Sequence, residues 1–387
     1  MYGEKSGLNN IGAYDDYAPL ETEETDTDGL LSPFTFLCFA VILVLFGAVM
    51  LFSSSYDTAL REDAAFYSTF LKQIGALVIG LVAGTSLCFL PQRILRKSYF
   101  VLFPVYSILF ILALSLKSYT PSFLYTSVMG GFGTVTLIFL LSDIVPLIIS
   151  HERRGVTLIG LVAAVIFILV TEALVCGSGW YLLSGIVIVS TLVSVKVKRS
   201  YIVYFSVVML VAFTFLILTS KSLLISFTRS AFPLSDPEYY SSSLYLSQEA
   251  ISEGGVIGVG IGNGLYKLGL IEDIEGEYIY ASLSEETGMM GTIIIIFCLL
   301  MILVIGIRNS SRAYRKNEYF ISSFMLGAVV YISFALLLNM LYVSGLLPFE
   351  GVPLLLFSYN PINEALTAVL FCLLYKFIYR VGREKNR

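Results

Sequence analysis

The chain has 387 residues, of which 57% are hydrophobic and 13% charged, with a mean hydropathy of +0.84 and a formal net charge of −4. Soluble domains carry about 25% charged residues, so this composition excludes a water-covered globule of that size. The acidic balance also leaves no basic face for a nucleic acid.

Residues 1–32 form a separate acidic zone, with Glu4, Asp15, Asp16, Glu21, Glu23, Glu24, Asp26 and Asp28 set against Lys5 alone. Such a segment buries too little apolar surface to order itself and reads as a disordered cytoplasmic tail, or as a docking segment for a soluble partner. The rest of the chain, 33–387, reads as an all-α polytopic membrane domain. A spanning helix needs about 20 apolar residues, and runs of that kind lie near 33–53, 70–90, 99–116, 127–150, 156–175, 179–195, 201–219, 289–307, 319–344 and 362–379. The first run lies behind the polar tail and is too long for a cleavable signal peptide. The fifth and sixth are separated only by Gly177-Ser178-Gly179.

Ten spans place both termini on one side, and the basic residues say which. Seventeen of the 24 lie in one set of loops and at the C-terminal end, among them Arg93, Arg96, Lys97, Arg153, Arg154, Lys196, Arg312, Lys316 and Arg380. The short loops of the opposite face hold only Arg61 and Lys117. By the positive-inside rule the first set is cytoplasmic, so the chain is N-in and C-in. Cys38, Cys88, Cys176, Cys298 and Cys372 are scattered through apolar runs without metal-ligand spacing and read as small buried hydrophobes. His151 is the only histidine, which leaves carboxylates, Arg and Lys to carry any chemistry.

The seventh and eighth predicted spans are joined by a large external loop, 220–288, holding ten of the 28 acidic residues. Connections that long usually carry function. Pro233 and Pro237 break the chain early, and 242–253 has the pattern of an amphipathic interfacial helix. There follows a glycine-rich run with Gly254, Gly255, Gly258, Gly260 and Gly262. It lacks the Lys and Ser/Thr of a phosphate cradle, so it reads as a turn that lets backbone approach backbone or a ligand. Glu277, Ala281 and Glu285 then fall at i, i+4 spacing and predict one helical face. There a partly desolvated carboxylate could serve as general base. Asp143 and Glu172 lie at membrane depth, where a carboxylate faces a polar interior or bonds between spans.

These motifs resemble those of the SEDS family of shape, elongation, division and sporulation proteins, which includes FtsW, RodA and SpoVE. The matching residues run in register over about 130 positions: Arg229, Phe232-Pro233, Asp236-Pro237, Tyr245, Ala250-Ile251 and the glycine run through Asn263. Tyr278-Ile279-Tyr280-Ala281, with Glu285-Glu286-Thr287-Gly288 and Gly291, is similar to the family's D-F-I-F-A-x-x-x-E-E-x-G segment. Asn339, Gly345, Pro348, Gly351-Val352-Pro353-Leu354 and Ser358-Tyr359 follow the segment before its last span, and Lys72-Gln73 its basic-Gln pair. The long acidic tail tilts the likeness toward the division type, FtsW.

The resemblance implies a peptidoglycan glycosyltransferase that polymerises lipid II, the undecaprenyl-linked disaccharide-peptide, at the outer face of the bacterial cytoplasmic membrane during cell division. It implies a class B penicillin-binding protein and other division proteins as partners, and the septum as location. Glu277 stands where the family carries its catalytic Asp and is the expected catalytic base. Arg229 and Lys267 are expected to stabilise the pyrophosphate leaving group, with a divalent cation (magnesium or manganese) able to share that work. Glu286, Glu172, Asn339, Ser358 and Tyr359 are the remaining expected substrate-binding residues. Lipid II translocation and a scaffold role in the division complex are the alternatives. Thr120-Pro121-Ser122-Phe123 and Thr126 depart from the family's polar motif ahead of the fourth span, and Asn360-Pro361-Ile362-Asn363 from its Gly-Gly-Ser-Ser.

Overall fold

The computed structural model describes residues 32–61, 67–116, 122–149, 155–219, four positions between 221 and 228, 242–348 and 351–383. The acidic tail, Arg229, Pro233, Pro237 and the His151 loop lie outside the described residues.

The described chain is a bundle of α-helices: α1 Pro33–Arg61, α2 Ser68–Phe89, α3 Gln92–Arg96, α4 Tyr99–Leu116, α5 Ser122–Ile149, α6 Gly155–Thr171, α7 Ser178–Ser194, α8 Arg199–Thr219, α9 Ser243–Gly254, α10 Ile279–Arg315, α11 Tyr319–Val343 and α12 Pro361–Arg383. Helices close every backbone hydrogen bond within one segment, which a bilayer demands. Among the described residues eight helices are long and apolar enough to cross a membrane, and two shorter apolar ones, Val162–Thr171 and Ser178–Ser194, fall at the fifth and sixth predicted spans. The protein is a multi-pass membrane protein.

Starts and stops follow local chemistry. Ser32 caps α1, its Oγ accepting the Thr35 N–H at 3.2 Å, with Pro33 at the first helical position, where a missing N–H costs nothing. Ser242 caps α9 in the same way, and α9 covers the predicted 242–253. α6 passes into a π-helical turn, Glu172–Cys176, and Gly177 alone, at φ 100°, separates it from α7.

Burial sorts the helices into layers. α5 and α11 bury 89% of their apolar windows inside the protein, while α8 buries none of its own and reads as an edge helix facing lipid. α12 lies along α2, where a Cβ on Gly80 would stand 2.5 Å from the Ala365 carbonyl and one on Gly84 2.8 Å from the Cys372 Cβ. This small-xxx-small contact lets two membrane helices approach to backbone distance. It also brings together two cysteines that are remote in sequence: Cys88 Sγ lies 3.3 Å from the Cys372 carbonyl, both thiols remaining free.

Several of the described basic residues predicted to share one face make contacts between helix ends. Arg380 bonds Gln92 at 2.9 Å and pairs with Glu318. Lys316 donates to the Val381 carbonyl at 2.8 Å, and Lys196 sits over the Tyr314 ring. Arg96 pairs with Asp143, which gives that intramembrane carboxylate an interspan partner.

Candidate active site

The eighth span differs most from its predicted shape. Its helix begins at Ile279 rather than 289, and it is broken at Gly288, whose φ of 63° and ψ of −161° are not helical. A short buried helix, Ile279–Thr287, therefore precedes the span proper. A break of this kind orphans backbone groups that must find partners, and the glycine run supplies them. Val259 N–H donates to the Glu285 carbonyl and Gly260 N–H to that of Glu286, both at 3.0 Å. In return Met289 and Met290 donate to the carbonyls of Gly255 and Val256 at 3.0 and 3.1 Å. A Cβ on Gly258, at φ 85°, would stand 2.2 Å from the Glu286 carbonyl oxygen. The close backbone approach expected of the run is thus realised against its own chain.

The side chains of Glu285 and Glu286 complete this junction. Glu285 accepts the N–H groups of Leu265, at 2.5 Å, and Tyr266. Glu286 accepts from Gly262 N–H at 3.0 Å, from Ser53 Oγ of α1 at 2.8 Å and from Lys267 Nζ at 2.5 Å. Lys267 also donates to Ser53 Oγ and its carbonyl, at 2.8 and 3.2 Å. Both ionic side chains are almost wholly buried, at 3% and 0% exposure. The sequence expectation set Lys267 beside a leaving group and Glu286 on substrate, whereas the geometry commits them to each other. Ser53, which sequence reasoning missed, is the third member; its only signal was a Ser53-Ser54-Ser55 triplet within an apolar span.

Glu277 stands apart from this cluster. It precedes the short helix by two residues, so the helical face predicted for Glu277, Ala281 and Glu285 does not form. Its Oε1 accepts the Gly351 N–H at 2.8 Å, and its backbone is held on both sides. Asn339 Nδ2 bridges the Glu277 carbonyl at 3.0 Å and the Val352 carbonyl at 2.8 Å, and Asp273 Oδ2 accepts the Glu277 N–H at 3.4 Å. Gly351 is fixed from its other side, since Trp180 Nε1 donates to its carbonyl at 2.7 Å. Glu277 itself is half-buried, the partial desolvation a general base needs while staying open to a substrate. Asp273 adopts a left-handed φ of 56°. Its carboxylate lies over Gly276, where a Cβ would come within 2.6 Å. Desolvation raises its pKa to about 6, against the Glu277 N–H, which lowers it.

The remaining expected site residues form two further groups. Ser358 Oγ accepts the Leu354 N–H at 2.9 Å, and its carbonyl accepts from Gln73 Nε2 at 3.1 Å. Gln73 also bonds Asn360 N–H and Glu364, knotting α2 to the turn before α12. Tyr359 N–H donates to the Glu275 carbonyl at 2.7 Å, tying that turn to the Glu277 segment. Glu172 lies deepest, fully buried in the π-helical turn, with Thr134 Oγ1 donating to it at 3.3 Å and a Ser184 hydroxyl 3.1 Å from that donor. Its Oε2 finds no hydrogen-bond partner among the described residues. The structure joins Asn339 to Glu277, links Tyr359 to the same segment, and holds Lys267–Glu286 and Glu172 in separate buried clusters.

Among the described residues no three His, Cys, Asp or Glu side chains converge as metal ligands, and one Glu277 oxygen is already engaged by an amide.

A model of the FtsW/RodA/SpoVE family, described as cell cycle proteins, matches residues 134–382. A protein of Helicobacter pylori named probable peptidoglycan glycosyltransferase FtsW is 34% identical over 134 residues, covering 34% of this chain and 33% of its own length. One of the same name from Synechocystis is 34% identical over 154 residues, 40% of this chain and 37% of that protein. The chain thus spans about a third of the length of these curated relatives. Among solved structures, a chain of a peptidoglycan synthase complex superposes with a TM-score of 0.64 at 16% identity, covering 92% of this chain and 98% of its own. RodA of Thermus thermophilus does so with 0.55 at 16% identity, covering 92% and 97%. Likeness at that identity is one of fold.

Proposed function

The chain belongs to the FtsW/RodA/SpoVE family of cell cycle proteins, and from that premise we propose that it is a peptidoglycan glycosyltransferase polymerising lipid II at the outer face of the cytoplasmic membrane, at the division septum. The observation that carries this reading is the setting of Glu277. A half-buried carboxylate stands at the position where the family carries its acidic residue. Its backbone is clamped by Asn339 and Asp273 and its Oε1 oriented by the Gly351 amide.

In this reading the Glu277 carboxylate takes the proton from the attacking sugar hydroxyl as the hydroxyl oxygen forms the new glycosidic bond. The bond from the donor sugar's anomeric carbon to the pyrophosphate breaks, and the lipid pyrophosphate leaves with the electron pair. The Gly351 amide keeps the carboxylate in the rotamer that faces the hydroxyl, the kind of preorganisation on which general-base catalysis depends. Arg229 is the cation proposed for the leaving group, Lys267 being consumed by Glu286. A class B penicillin-binding protein is the proposed partner that cross-links the product.

The test is polymerisation of fluorescent lipid II by the purified protein together with its penicillin-binding partner, read as glycan ladders on a gel. Wild type is expected to make polymer and Glu277→Gln none. Equal polymer from both would dismiss Glu277 as the base, and movement of lipid II across vesicle membranes without polymer would favour translocation.

A further inference from the structure

The predicted external loop has one stretch that does not suit water. From Gly254 to Ile271 the chain contains a single charged residue, Lys267, and it is buried. Over the same stretch Val256, Ile257, Val259, Ile261, Leu265 and Leu268 are 43–80% exposed. A contiguous apolar patch of this kind on a protein surface marks contact with something apolar. Acidic residues flank it, with Glu249 and Glu253 before and Glu272 and Asp273 after, but none interrupts it.

Two further observations say what covers it. The patch is continuous with a surface that faces lipid: Gly255 and Val256 are hydrogen-bonded to Met289 and Met290, the first residues of the span proper. Those methionines, with Ile293, Ile294 and Phe297 further along, are themselves exposed apolar side chains of a membrane helix. Part of the loop backbone is also met inside the protein. The N–H groups of Gly258, Val259, Gly260 and Asn263 donate to carbonyls, and those of Gly262, Leu265 and Tyr266 to the carboxylates of Glu285 and Glu286. Irregular backbone at membrane depth needs its polar groups met inside the protein, and these bonds meet that need for the glycine-rich part of the loop.

We infer that residues 255–270 are a membrane-seated loop, with Val256, Ile257, Val259, Ile261, Leu265 and Leu268 inserted among the acyl chains of the outer leaflet beside the eighth span. The Lys267–Glu286 pair is then the buried anchor of a monotopic insertion, and the Glu277 turn lies at the depth of lipid headgroups. This inference rests on the patch and its backbone bonds, so it stands or falls independently of whether the protein polymerises lipid II.

Trp180 is the only tryptophan and is fully buried, which makes added tryptophans readable. Full-length Ile257→Trp, Leu265→Trp and, as a control on the acidic side, Glu272→Trp are reconstituted in nanodiscs of phosphatidylcholine with or without bromine on the acyl chains. Emission is read against wild type. Ile257→Trp and Leu265→Trp are expected to be blue-shifted, quenched by brominated lipid and spared by aqueous iodide, with Glu272→Trp showing the reverse. Iodide quenching of the two loop probes equal to that of Glu272→Trp would overturn the inference. So would probes open to iodide in nanodiscs but shielded when a class B penicillin-binding protein is added, which would make the patch a protein-docking surface. Hydroxyl-radical footprinting of the unsubstituted protein in nanodiscs guards against a misfolded variant, since oxidation of Ile257 and Ile261 at the rate of free solvent-exposed residues would refute the insertion directly.

Discussion

Lys267→Met removes one member of an ion pair that has almost no contact with solvent, with side-chain exposures of 3% and 0%. Removing one partner of a buried pair costs about 3–5 kcal/mol, because the other charge is left uncompensated. Here Glu286 would keep the Ser53 hydroxyl and the Gly262 amide, which places the expected loss at the lower end, about 3 kcal/mol, or roughly two orders of magnitude in the unfolding equilibrium. Glu286→Gln should cost a similar amount by stranding the ammonium on Ser53. The double variant Lys267→Met with Glu286→Gln strands neither charge, so it should recover about 0.5–3 kcal/mol of the summed losses, the range for residues in direct contact. SDS titration in mixed micelles, followed by the emission of buried Trp180, provides the assay. A Lys267→Met protein within about 0.5 kcal/mol of wild type, the scatter of ordinary surface substitutions, would refute the reasoning, as would a double variant that loses the full sum.

Four other outcomes follow from the geometry. Gly288→Ala places a Cβ 2.5 Å from the Gly258 nitrogen at a φ of 63°, so it should destabilise by more than the roughly 1 kcal/mol of an unfavourable glycine replacement, seen as a lower SDS midpoint; an unchanged midpoint would count against the helix break. Asn339→Ala should cost about 1 kcal/mol for each of its two backbone bonds and lower kcat more than it raises KM, because Asn339 positions Glu277 instead of touching substrate. Trp180→Phe removes the donor to the Gly351 carbonyl and should also lower kcat with little change in KM, read from polymerisation rates at varied lipid II. Asp273 binds its proton more tightly folded than unfolded, its pKa being raised from 3.8 to about 6. Unfolding free energy should therefore fall as pH rises through that window, and Asp273→Asn should reduce the slope in SDS titrations repeated across it.

The periodicity of apolar runs located the membrane helices, because a bilayer imposes its thickness on sequence directly. It also found α9, whose Ser242 cap and amphipathic pattern are both local. The glycine run was legible as a place of close backbone approach, though not what it approaches. The break at Gly288 escaped because a helical pattern continues smoothly through Glu285-Glu286-Thr287. What ends the helix is four hydrogen bonds from residues some thirty positions earlier in the chain. The start of that helix at Ile279, later than the i, i+4 pattern implied, is what takes Glu277 off the predicted helical face. The Trp180–Gly351 contact was illegible for the same reason, joining residues 171 positions apart. Isolated polar residues in apolar spans, such as Ser53 and Gln73, were weak signals that only tertiary contacts could resolve.

The short helix Ile279–Thr287 has the glycine loop stitched to one end and the Glu277 turn at the other. Nine residues at 1.5 Å of rise make a rod of roughly 13 Å, ending at Gly288. A tilt of about 5° of such a rod displaces its far end by roughly 1 Å, the scale of misplacement that can cost a hundredfold in rate where chemistry is positioned, so a push on the glycine loop would be felt at the Glu277 turn.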